Sequence, residues 1–328
     1  MLLEFKHDVP VKGFDRGLQD FYDRLLVGAG WRRLQLMFLR GRILWLPVSF
    51  LFSFLLLAGQ APAQTDIAGQ WSRSYHDDYP ERGDIYIGDY VNLPINDAGR
   101  MRADTWSAEK WAMIEHQCHP HAGDYGPRGT SGMRIWADVD PVTQGVLAWH
   151  NTLAYMLPER TIYMDKRPHP SEWAPHTWTG FSTGEWEGDM LKVETTHMKE
   201  GYFRRNGVSR SEKGSMTEYF IRNHNVLTLF TVIEDPVYLT EPMIWTSDWV
   251  LDTGHQLSPN FCVYSLQIDQ PKSWVAFHLP GENRWLKEYA EKIGIPYEAA
   301  RGGAETMYPE YQKKLAGMPI PPPRKKEE

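Results

Sequence analysis

The sequence predicts a mainly β protein, either an antiparallel up-and-down barrel or a sandwich, with a few short helices. In residues 190–196, apolar Leu191 and Val193 alternate with polar side chains, which is the pattern of a strand with one face in water. Short segments rich in Gly, Asp and Asn separate consecutive apolar and aromatic runs, and helical periodicity is scarce. Sequential hairpins with short turns close most easily into a barrel or a sandwich.

The predicted elements follow this pattern along the chain. Residues 187–189 (Glu-Gly-Asp) and 223–225 (Asn-His-Asn) are the clearest hairpin turns, because each joins two runs rich in β-branched and aromatic residues. Helical patterns occur at 107–116, which Ser107 caps, and at 285–293. The predicted strands are residues 134–138, 145–150, 161–165, 177–186, 190–196, 215–222, 226–234, 241–251 and 273–279.

The N-terminal residues have the three parts of a secretory signal. Arg40 and Arg42 form a positive flank, and the apolar run Ile43–Ala58 follows. An Ala-Pro-Ala cleavage site then ends at Ala63. The run has 16 residues, fewer than the roughly 20 of a spanning helix. We therefore expect an exported protein, periplasmic or extracellular, with no stable membrane span after processing; an uncleaved anchor is the alternative.

The signal and the composition of the C-terminal residues together divide the chain into three parts. Residues 1–63 are expected to be an N-terminal extension plus the signal peptide, with Met37 as a candidate start of the exported precursor. Residues 64–295 are expected to form the β-barrel-like domain. Residues 296–328 are rich in Pro, Gly and charged side chains, which predicts a C-terminal tail.

The composition excludes several classes of protein. A chain of 328 residues with 23% charged and 42% apolar residues is not a coiled coil, a collagen-like repeat or a wholly disordered chain. The formal net charge of −7 argues against nucleic-acid binding, which needs a basic surface. Cys118 and Cys262 are the only cysteines; in an oxidising compartment they either form one disulfide or stay apart.

The densest polar cluster lies between residues 116 and 121. Its imidazoles and thiolate are ligand types that zinc and copper prefer, although the spacing matches no zinc finger. Either a metal site or a polar surface loop with Cys118 in a disulfide fits this pattern. The candidate metal ligands are His116, Cys118, His119 and His121.

Three residues on predicted strands or their ends are candidates for acid–base catalysis. An imidazole with a pKa near 6.5 transfers protons at neutral pH, and a carboxylate can serve as general base. A hydrogen-bonded structural histidine and a turn aspartate are the alternatives. We expect His119 and His121 to approach one of the catalytic histidines, because the loop at Pro120 can fold over the open end of the sheet. The candidates are His150, His169 and Asp235.

The chain is rich in tryptophan, with 14 in all. Indole and phenol rings form flat, amphipathic walls of ligand sites, which favours an aromatic-lined cavity for a small apolar or cyclic molecule. Packing inside a β-barrel is the alternative use of these rings. The candidate ligand-binding residues are Trp136, Trp149, Trp178, Trp186 and Tyr155.

Residues 180–184 match the pattern Gly-x-Ser-x-Gly of a nucleophile elbow. That motif requires a strand, a sharp turn at the serine and then a helix, whereas a hairpin is predicted here. Close packing of small residues in a strand is therefore the preferred interpretation of Ser182.

Several motifs carry a resemblance to known proteins. They are GFSTGEWEGDMLKVETT at 180–196, RTIYMD at 160–165, RPHP at 167–170, EDP at 234–236 and YLTEP at 238–242. Together they resemble a family of exported bacterial proteins of unknown function. The Gly-x-Trp motif at 69–71 resembles the start of lipocalin-like barrels. The resemblance implies secretion and a β fold, and supplies no reaction.

Three functions therefore stay open at the level of the sequence. The first is an exported β-barrel that binds a small apolar or cyclic molecule, with or without transforming it. The second is a periplasmic hydrolase, lyase or isomerase that uses histidine and carboxylate groups. The third is an exported metal-binding protein. The side chains that line the largest pocket should distinguish them.

Overall fold

A computed structural model of the chain describes residues 65–74, 86–113, 116–128, 132–154, 159–254, 256–257, 262–263 and 274–322. This part is mainly β, with nine strands in a closed barrel and a few short helices, which confirms the predicted fold class. The predicted signal peptide lies outside the described residues. The strands are β1 (Gly69–Ser74), β2 (Met133–Val139), β3 (Val146–Leu153), β4 (Arg160–Tyr163), β5 (Phe181–Glu187), β6 (Met190–Thr196), β7 (Gly201–Tyr202), β8 (Ser209–Arg210), β9 (Ser215–Asn223), β10 (Val226–Glu234) and β11 (Met243–Leu251).

The strand order around the barrel is β1-β11-β10-β9-β6-β5-β4-β3-β2, and β7 and β8 form a separate two-stranded sheet. Neighbouring barrel strands are antiparallel except β4 and β5, which are parallel. The parallel pair departs from a simple up-and-down order. It arises because residues 164–180 carry the chain back to the end of the barrel at which β4 begins.

Both predicted hairpin turns are confirmed. Strands β5 and β6 close at the pair Glu187 and Met190, and Gly188 in the loop between them has a φ of +63°. Glycine adopts this left-handed conformation at little cost, which explains its place in the turn. Strands β9 and β10 close at the pair Asn223 and Val226.

One predicted strand is wrong and another is shorter than expected. The described part of the segment 273–279 contains no strand, and Phe277 makes only an isolated bridge to Trp106. The barrel closes through β1 and β11, so no barrel edge is left for this segment to pair with. The strand predicted from residue 177 begins at Phe181.

The helices are short. The helix predicted over 107–116 is a 3-10 helix at Ala108–Ala112, and the Ser107 side chain caps it as expected. None of the helices in the described segments is long and apolar enough to cross a bilayer. The α-helices are α1 (Asp97–Asp104), α2 (Glu288–Ile293), α3 (Tyr297–Arg301) and α4 (Pro309–Leu315). Further 3-10 helices are Gly126–Arg128, Arg284–Lys287 and Gly303–Met307.

Residues 296–315, which composition assigned to a C-terminal tail, contain two of these helices and pack against the start of the β domain. The amide of Tyr90 donates to the carbonyl of Ala300 at 2.9 Å. The Arg301 guanidinium forms an ion pair with Asp104 at the end of α1. These contacts give the segment ordered structure that its Pro- and Gly-rich composition did not predict.

The core consists of two apolar clusters. The barrel cluster contains Ile67, Trp71, Met133, Ile135, Trp149, Leu153, Ile162, Leu191, Val193, Phe220, Leu227, Leu229 and Trp249. The end cluster closes the end of the barrel at which β9 begins and β10 ends. It contains Tyr90, Leu93, Ile95, Ala103, Met198, Phe203, Val208, Met216, Ile233 and Leu239.

A buried polar layer separates the two clusters. On β9, Glu218 lies between Met216 of the end cluster and Phe220 of the barrel cluster, on the same face. Glu218 pairs with Arg160 at 2.6 Å, and each side chain is only 1% exposed. The Arg160 guanidinium also donates to the Ser182 hydroxyl at 3.0 Å. Ser182 is therefore a fully buried structural partner of Arg160 inside a hairpin, without the helix that a nucleophile elbow requires.

Cys118 and Cys262 form a disulfide, with their Cα atoms 5.5 Å apart. Of the two alternatives that the sequence left open, pairing is the one found. A sulfur in a disulfide is no thiolate ligand, so Cys118 leaves the predicted set of metal ligands. The bond ties the loop around residue 118 to the segment that follows β11.

Candidate functional site

A pocket of about 270 Å³ lies between the segments 110–125 and 199–212, with Trp178 as a further wall. We call it the first pocket. It combines three histidines, three other aromatic rings, three strongly basic side chains and two glutamates. These residues are Lys110, His116, His119, His121, Tyr125, Trp178, Lys199, Glu200, Tyr202, Arg205 and Glu212.

The histidine segment is positioned by local contacts and by Trp178. The amide of Gly123 donates to the Trp178 carbonyl at 3.0 Å, which fixes the loop beside the indole. The His119 ring lies 5.6 Å from the Trp178 ring and 5.2 Å from the His116 ring, measured between centroids. The His119 nitrogens make no hydrogen bond with the described residues, so this imidazole contacts its neighbours only through its ring.

A buried ion pair supports the wall at Gly201. Arg210 Nε donates to Asp124 Oδ2 at 2.8 Å, and the two side chains are 0% and 1% exposed. Arg210 also donates to the carbonyl of Lys199 at 2.6 Å, which holds in place the segment between β6 and β7 that carries Lys199. A Cβ at Gly201 would lie 3.0 Å from both Ala122 Cβ and Arg210 Nη2, so glycine allows the wall to pack this closely.

The charges facing the first pocket are mainly positive. Lys110 Nζ lies 3.2 Å from the Tyr202 hydroxyl, and Lys199 Nζ lies 5.1 Å from the centre of the Trp178 ring. Glu200 is neutralised by an ion pair with Arg102 at 2.9 Å. Glu212 is exposed and forms no ion pair with the described residues. The balance favours a ligand with negative charge.

A second, larger pocket of about 790 Å³ adjoins the first, because Glu200 and Glu212 line both. We call it the second pocket. Its lining is mostly hydroxyl, imidazole and carboxylate groups, with one exposed indole. These residues are Glu172, Trp173, His176, Thr196, His197, Glu200, Ser211, Glu212, Lys213, Ser215, Val237 and Tyr238.

A hydrogen-bonded chain runs behind this second pocket. His169 contacts the hydroxyls of Thr183 and Thr196 at 2.9 and 2.7 Å, and Thr196 also contacts His197 Nδ1 at 2.7 Å. His197 Nε2 lies 2.8 Å from the Ser171 carbonyl, which only accepts, so this nitrogen carries the proton.

The chain satisfies every member when both imidazoles are neutral. Thr183 then donates to His169 Nε2, His169 Nδ1 donates to Thr196, and Thr196 donates to His197 Nδ1. Burial lowers the pKa of His169; the charge of Glu194 opposes this shift and His197 adds to it. The lowered pKa agrees with the neutral arrangement.

His150 lies in a separate cluster and lines neither pocket. Its Nε2 is 2.9 Å from Asp138 and its Nδ1 is 2.9 Å from Glu159. The Trp136 ring stacks on it at 5.3 Å. His150 follows Trp149, whose ring belongs to the barrel cluster, so the alternation of β3 directs His150 to the opposite face.

The other predicted catalytic residues are held by structural contacts. Asp235 is buried and accepts bonds from the Ser211 hydroxyl at 2.7 Å and from the Val237 amide at 2.9 Å. These are the contacts of a turn aspartate, the plainer of the two interpretations of its sequence position. His169 lies behind the second pocket, within the hydrogen-bonded chain, and does not line it.

The predicted ligand-binding aromatics are spread over three environments. Trp149 belongs to the barrel cluster and Trp186 packs against it, so both rings serve the core. Trp136 stacks on His150, and Trp178 lines the first pocket. Tyr155 lies outside the described residues.

The three histidines among the predicted metal ligands share the first pocket but form no coordination cluster with other described residues. His116, His119 and His121 all line it. Among the residues that the structure describes, no group of three or more His, Cys, Asp or Glu side chains is arranged to hold a metal ion.

The chain matches no protein-family model, no curated protein and no solved structure. Its function therefore has to be inferred from the geometry of the two pockets.

Sequence reasoning missed the basic half of the first pocket. Lys199 and Arg205 line the pocket, and Arg210 supports it from behind. The available signal was the concentration of basic residues between positions 199 and 210, which contains Arg204 as well. Asp124 is 86 residues away from Arg210 in the chain, so its pairing had no local signature.

Proposed function

We propose that this protein is exported and binds a small cyclic molecule with an acidic group in the first pocket. The observation that carries the proposal is that aromatic rings and basic side chains line the same pocket. Export is supported by the signal-like segment ending at Ala63 and by the disulfide, a bond typical of oxidising compartments.

The aromatic rings favour a cyclic ligand. Trp178 and His119 form one wall, and Tyr125 and Tyr202 line the same pocket. An aromatic ring packs most favourably against another ring, in offset-stacked or edge-to-face geometry. Such a pair contributes about 0.5–1.5 kcal/mol of free energy beyond that of the apolar area it buries. The Trp N–H and Tyr O–H groups at the edges of these rings can form hydrogen bonds with polar groups of the ligand.

The basic side chains favour an acidic group on the ligand. Lys110 and Lys199 bring ammonium groups to the pocket, with Nζ 6.0 Å from the centre of the Tyr202 ring and 5.1 Å from that of the Trp178 ring. Charge-assisted hydrogen bonds from such groups to a carboxylate are roughly twice as strong as neutral ones. A carboxylate or a similar anion next to the ring therefore fits the pocket better than a neutral group.

The volume limits the size of the ligand. Pockets for drug-sized molecules measure roughly 300–1,000 Å³. The first pocket, at about 270 Å³, lies just below that range and so admits about one or two rings. The buried Asp124–Arg210 pair and the tight wall at Gly201 hold the pocket in shape before a ligand arrives.

The test is ligand binding to the processed protein, residues 64–328. Benzoate, indole-3-acetate and cyclohexanecarboxylate are compared with their neutral alcohols by calorimetry. We expect the acids to bind more tightly than the alcohols, and Trp178→Ala to weaken binding at least tenfold. Lys199→Met should reduce the preference for the acids, since it keeps a similar stem and removes the charge.

The matched control is Trp173→Ala, which removes an exposed indole outside the first pocket. It should leave the affinity for the acids unchanged. If none of the acids binds, or if the Trp178 and Trp173 variants behave alike, the proposed function is wrong.

A second candidate function is a hydrolase, lyase or isomerase at the same pocket. The observation that favours it is the His119 imidazole, which faces the pocket with its ring nitrogens free of hydrogen bonds to the described residues. The ligands above are incubated with the protein together with N-benzoylglycine, which keeps a ring and a carboxylate and adds an amide that water can cleave to benzoate and glycine, and all are followed by proton NMR. A chemical change that is lost in His119→Gln, while binding persists, would establish catalysis; ligands recovered unchanged support binding alone.

A further inference from the structure

Trp173 is an unusual surface residue. Its side chain is 86% exposed, although an indole normally buries a large apolar area. Its loop is held in place, because the Ser171 carbonyl accepts bonds from His197 Nε2 at 2.8 Å and from the Ala174 amide at 2.9 Å. An exposed aromatic ring on a fixed loop beside a groove is typical of a ligand-binding surface.

The second pocket beside this indole is lined mainly by hydrogen-bonding groups. Ser215 and Tyr238 offer hydroxyl groups, His176 offers ring nitrogens, and Glu172 offers a carboxylate. The Glu172 side chain makes no hydrogen bond or ion pair with the described residues. Among the described residues of this lining, Val237 is the only one with an aliphatic side chain. The second pocket therefore combines one flat apolar face with many polar groups around it.

We propose that the second pocket is a carbohydrate-binding subsite with Trp173 as its platform. A pyranose ring presents C–H groups on its faces and hydroxyl groups around its edge. The indole of Trp173 packs against the C–H face, while Glu172 accepts hydrogen bonds from the hydroxyls and His176 contributes a ring nitrogen. This proposal is independent of the ligand proposed for the first pocket.

Volume and charge support a sugar over the acidic ring of the first pocket. The second pocket measures about 790 Å³, nearly three times the first, and so admits a short oligosaccharide. Its charged lining is Glu172, Glu200, Glu212 and Lys213, with Glu200 already paired to Arg102. A neutral polyol avoids the repulsion that an anion would meet from these carboxylates.

The shared wall has a further consequence. Glu200 and Glu212 line both pockets, so the two ligand groups would bind side by side. A cyclic acid linked to a sugar would occupy both pockets at once and would gain affinity from the linkage. Free sugar and free acid would bind without excluding each other.

The test uses NMR of the processed protein with its tryptophan indoles labelled. Cellotriose, maltotriose and chitotriose are titrated, with choline as a cationic probe of the same ring. We expect at least one of the sugars to shift the Trp173 indole signal, assigned by its loss in Trp173→Ala. That variant should lower the affinity for the sugar at least tenfold, and Glu172→Gln should lower it severalfold.

The matched control is Tyr308→Ala, which removes an exposed aromatic ring outside both pockets. It should bind the sugar as the wild type does. The proposal is overturned if no sugar shifts the Trp173 signal, if choline alone does so, or if Trp173→Ala binds as tightly as the control. The two proposals fail separately, because the acids and the sugars are titrated independently. A wild-type protein that binds none of the acids but still shifts the Trp173 signal with a sugar would refute the proposed function and leave this subsite standing.

Discussion

The Asp124–Arg210 ion pair gives the sharpest test of how the first pocket is built. In Asp124→Asn, the carboxylate charge is lost while the side chain keeps its size. The Arg210 guanidinium would then remain buried, at 0% exposure, with only uncharged acceptors nearby: the carbonyls of Lys199 and Ser211 and the oxygen of the new amide. Breaking a buried pair from one side costs about 3–5 kcal/mol, because the remaining charge has no compensation.

This cost is a large part of the stability of an ordinary domain, which is about 5–15 kcal/mol. We therefore expect Asp124→Asn to lower the free energy of unfolding by about 3–5 kcal/mol, measured in urea with the disulfide intact. The affinity of the first pocket for the cyclic acids should fall as well, since Arg210 contacts the backbone of Lys199 and the wall at Gly201.

Two further variants serve as controls for Asp124→Asn. Asp165→Asn removes the partner of Arg167 on the surface, where the 2.6 Å pair is solvated, and should leave the urea midpoint unchanged. The double variant Asp124→Leu with Arg210→Met removes both charges and should recover most of the stability lost in the single variant. A single variant within about 1 kcal/mol of wild type, or a double variant no better than the single one, would contradict the account.

Three other predictions follow from the same structure. Glu218→Gln should cost about 3–5 kcal/mol by leaving Arg160 buried without its partner, as measured by urea unfolding, and pairing it with Arg160→Met should restore most of that loss. The pKa of His169 is lower in the folded state than its value of about 6.5 in the unfolded chain, so the unfolded chain binds the proton more readily. The free energy of unfolding should therefore fall as the pH drops from 7 towards 5. Urea midpoints measured across that range should fall less steeply in His169→Gln than in the wild type. Reduction of the Cys118–Cys262 bond, or Cys118→Ser, should lower the stability by about 2–5 kcal/mol, and dithiothreitol should have no further effect on the variant.

The parts of the fold that were predictable from sequence are local. The β5–β6 hairpin is specified by Gly188 in its turn and by the alternation of Leu191 and Val193 after it. The parallel pairing of β4 with β5 has no such signature, because it depends on where residues 164–180 lead the chain. Closure of the barrel through β1 and β11 joins residues about 180 positions apart, such as Trp71 and Leu251. The sequence predicted a barrel or a sandwich as a fold class, but it did not predict which strands pair to close it.

The candidate site divides in the same way. The histidines between residues 116 and 121 are close in sequence, and their presence in one pocket follows from that proximity. Trp178 was predicted as a ligand-binding residue and lines the same pocket, but its contact with His119 is tertiary. The support from Arg210 joins two segments that carry no motif in common. Composition thus identified the aromatic wall of the pocket, while its charged wall required the fold.

The position of the tryptophans explains why the barrel interior is not the proposed binding site. In a closed barrel, inward positions on every strand have to fill the interior, and large rings do this efficiently. Trp71, Trp149 and Trp249 are each at most 2% exposed within the barrel cluster, and the Arg160–Glu218 pair occupies the layer above them. The two tryptophan rings that line the pockets, Trp173 and Trp178, lie outside the strands, in the connection between β4 and β5. The abundance of tryptophan therefore has two physical causes, packing of the interior and recognition at the surface.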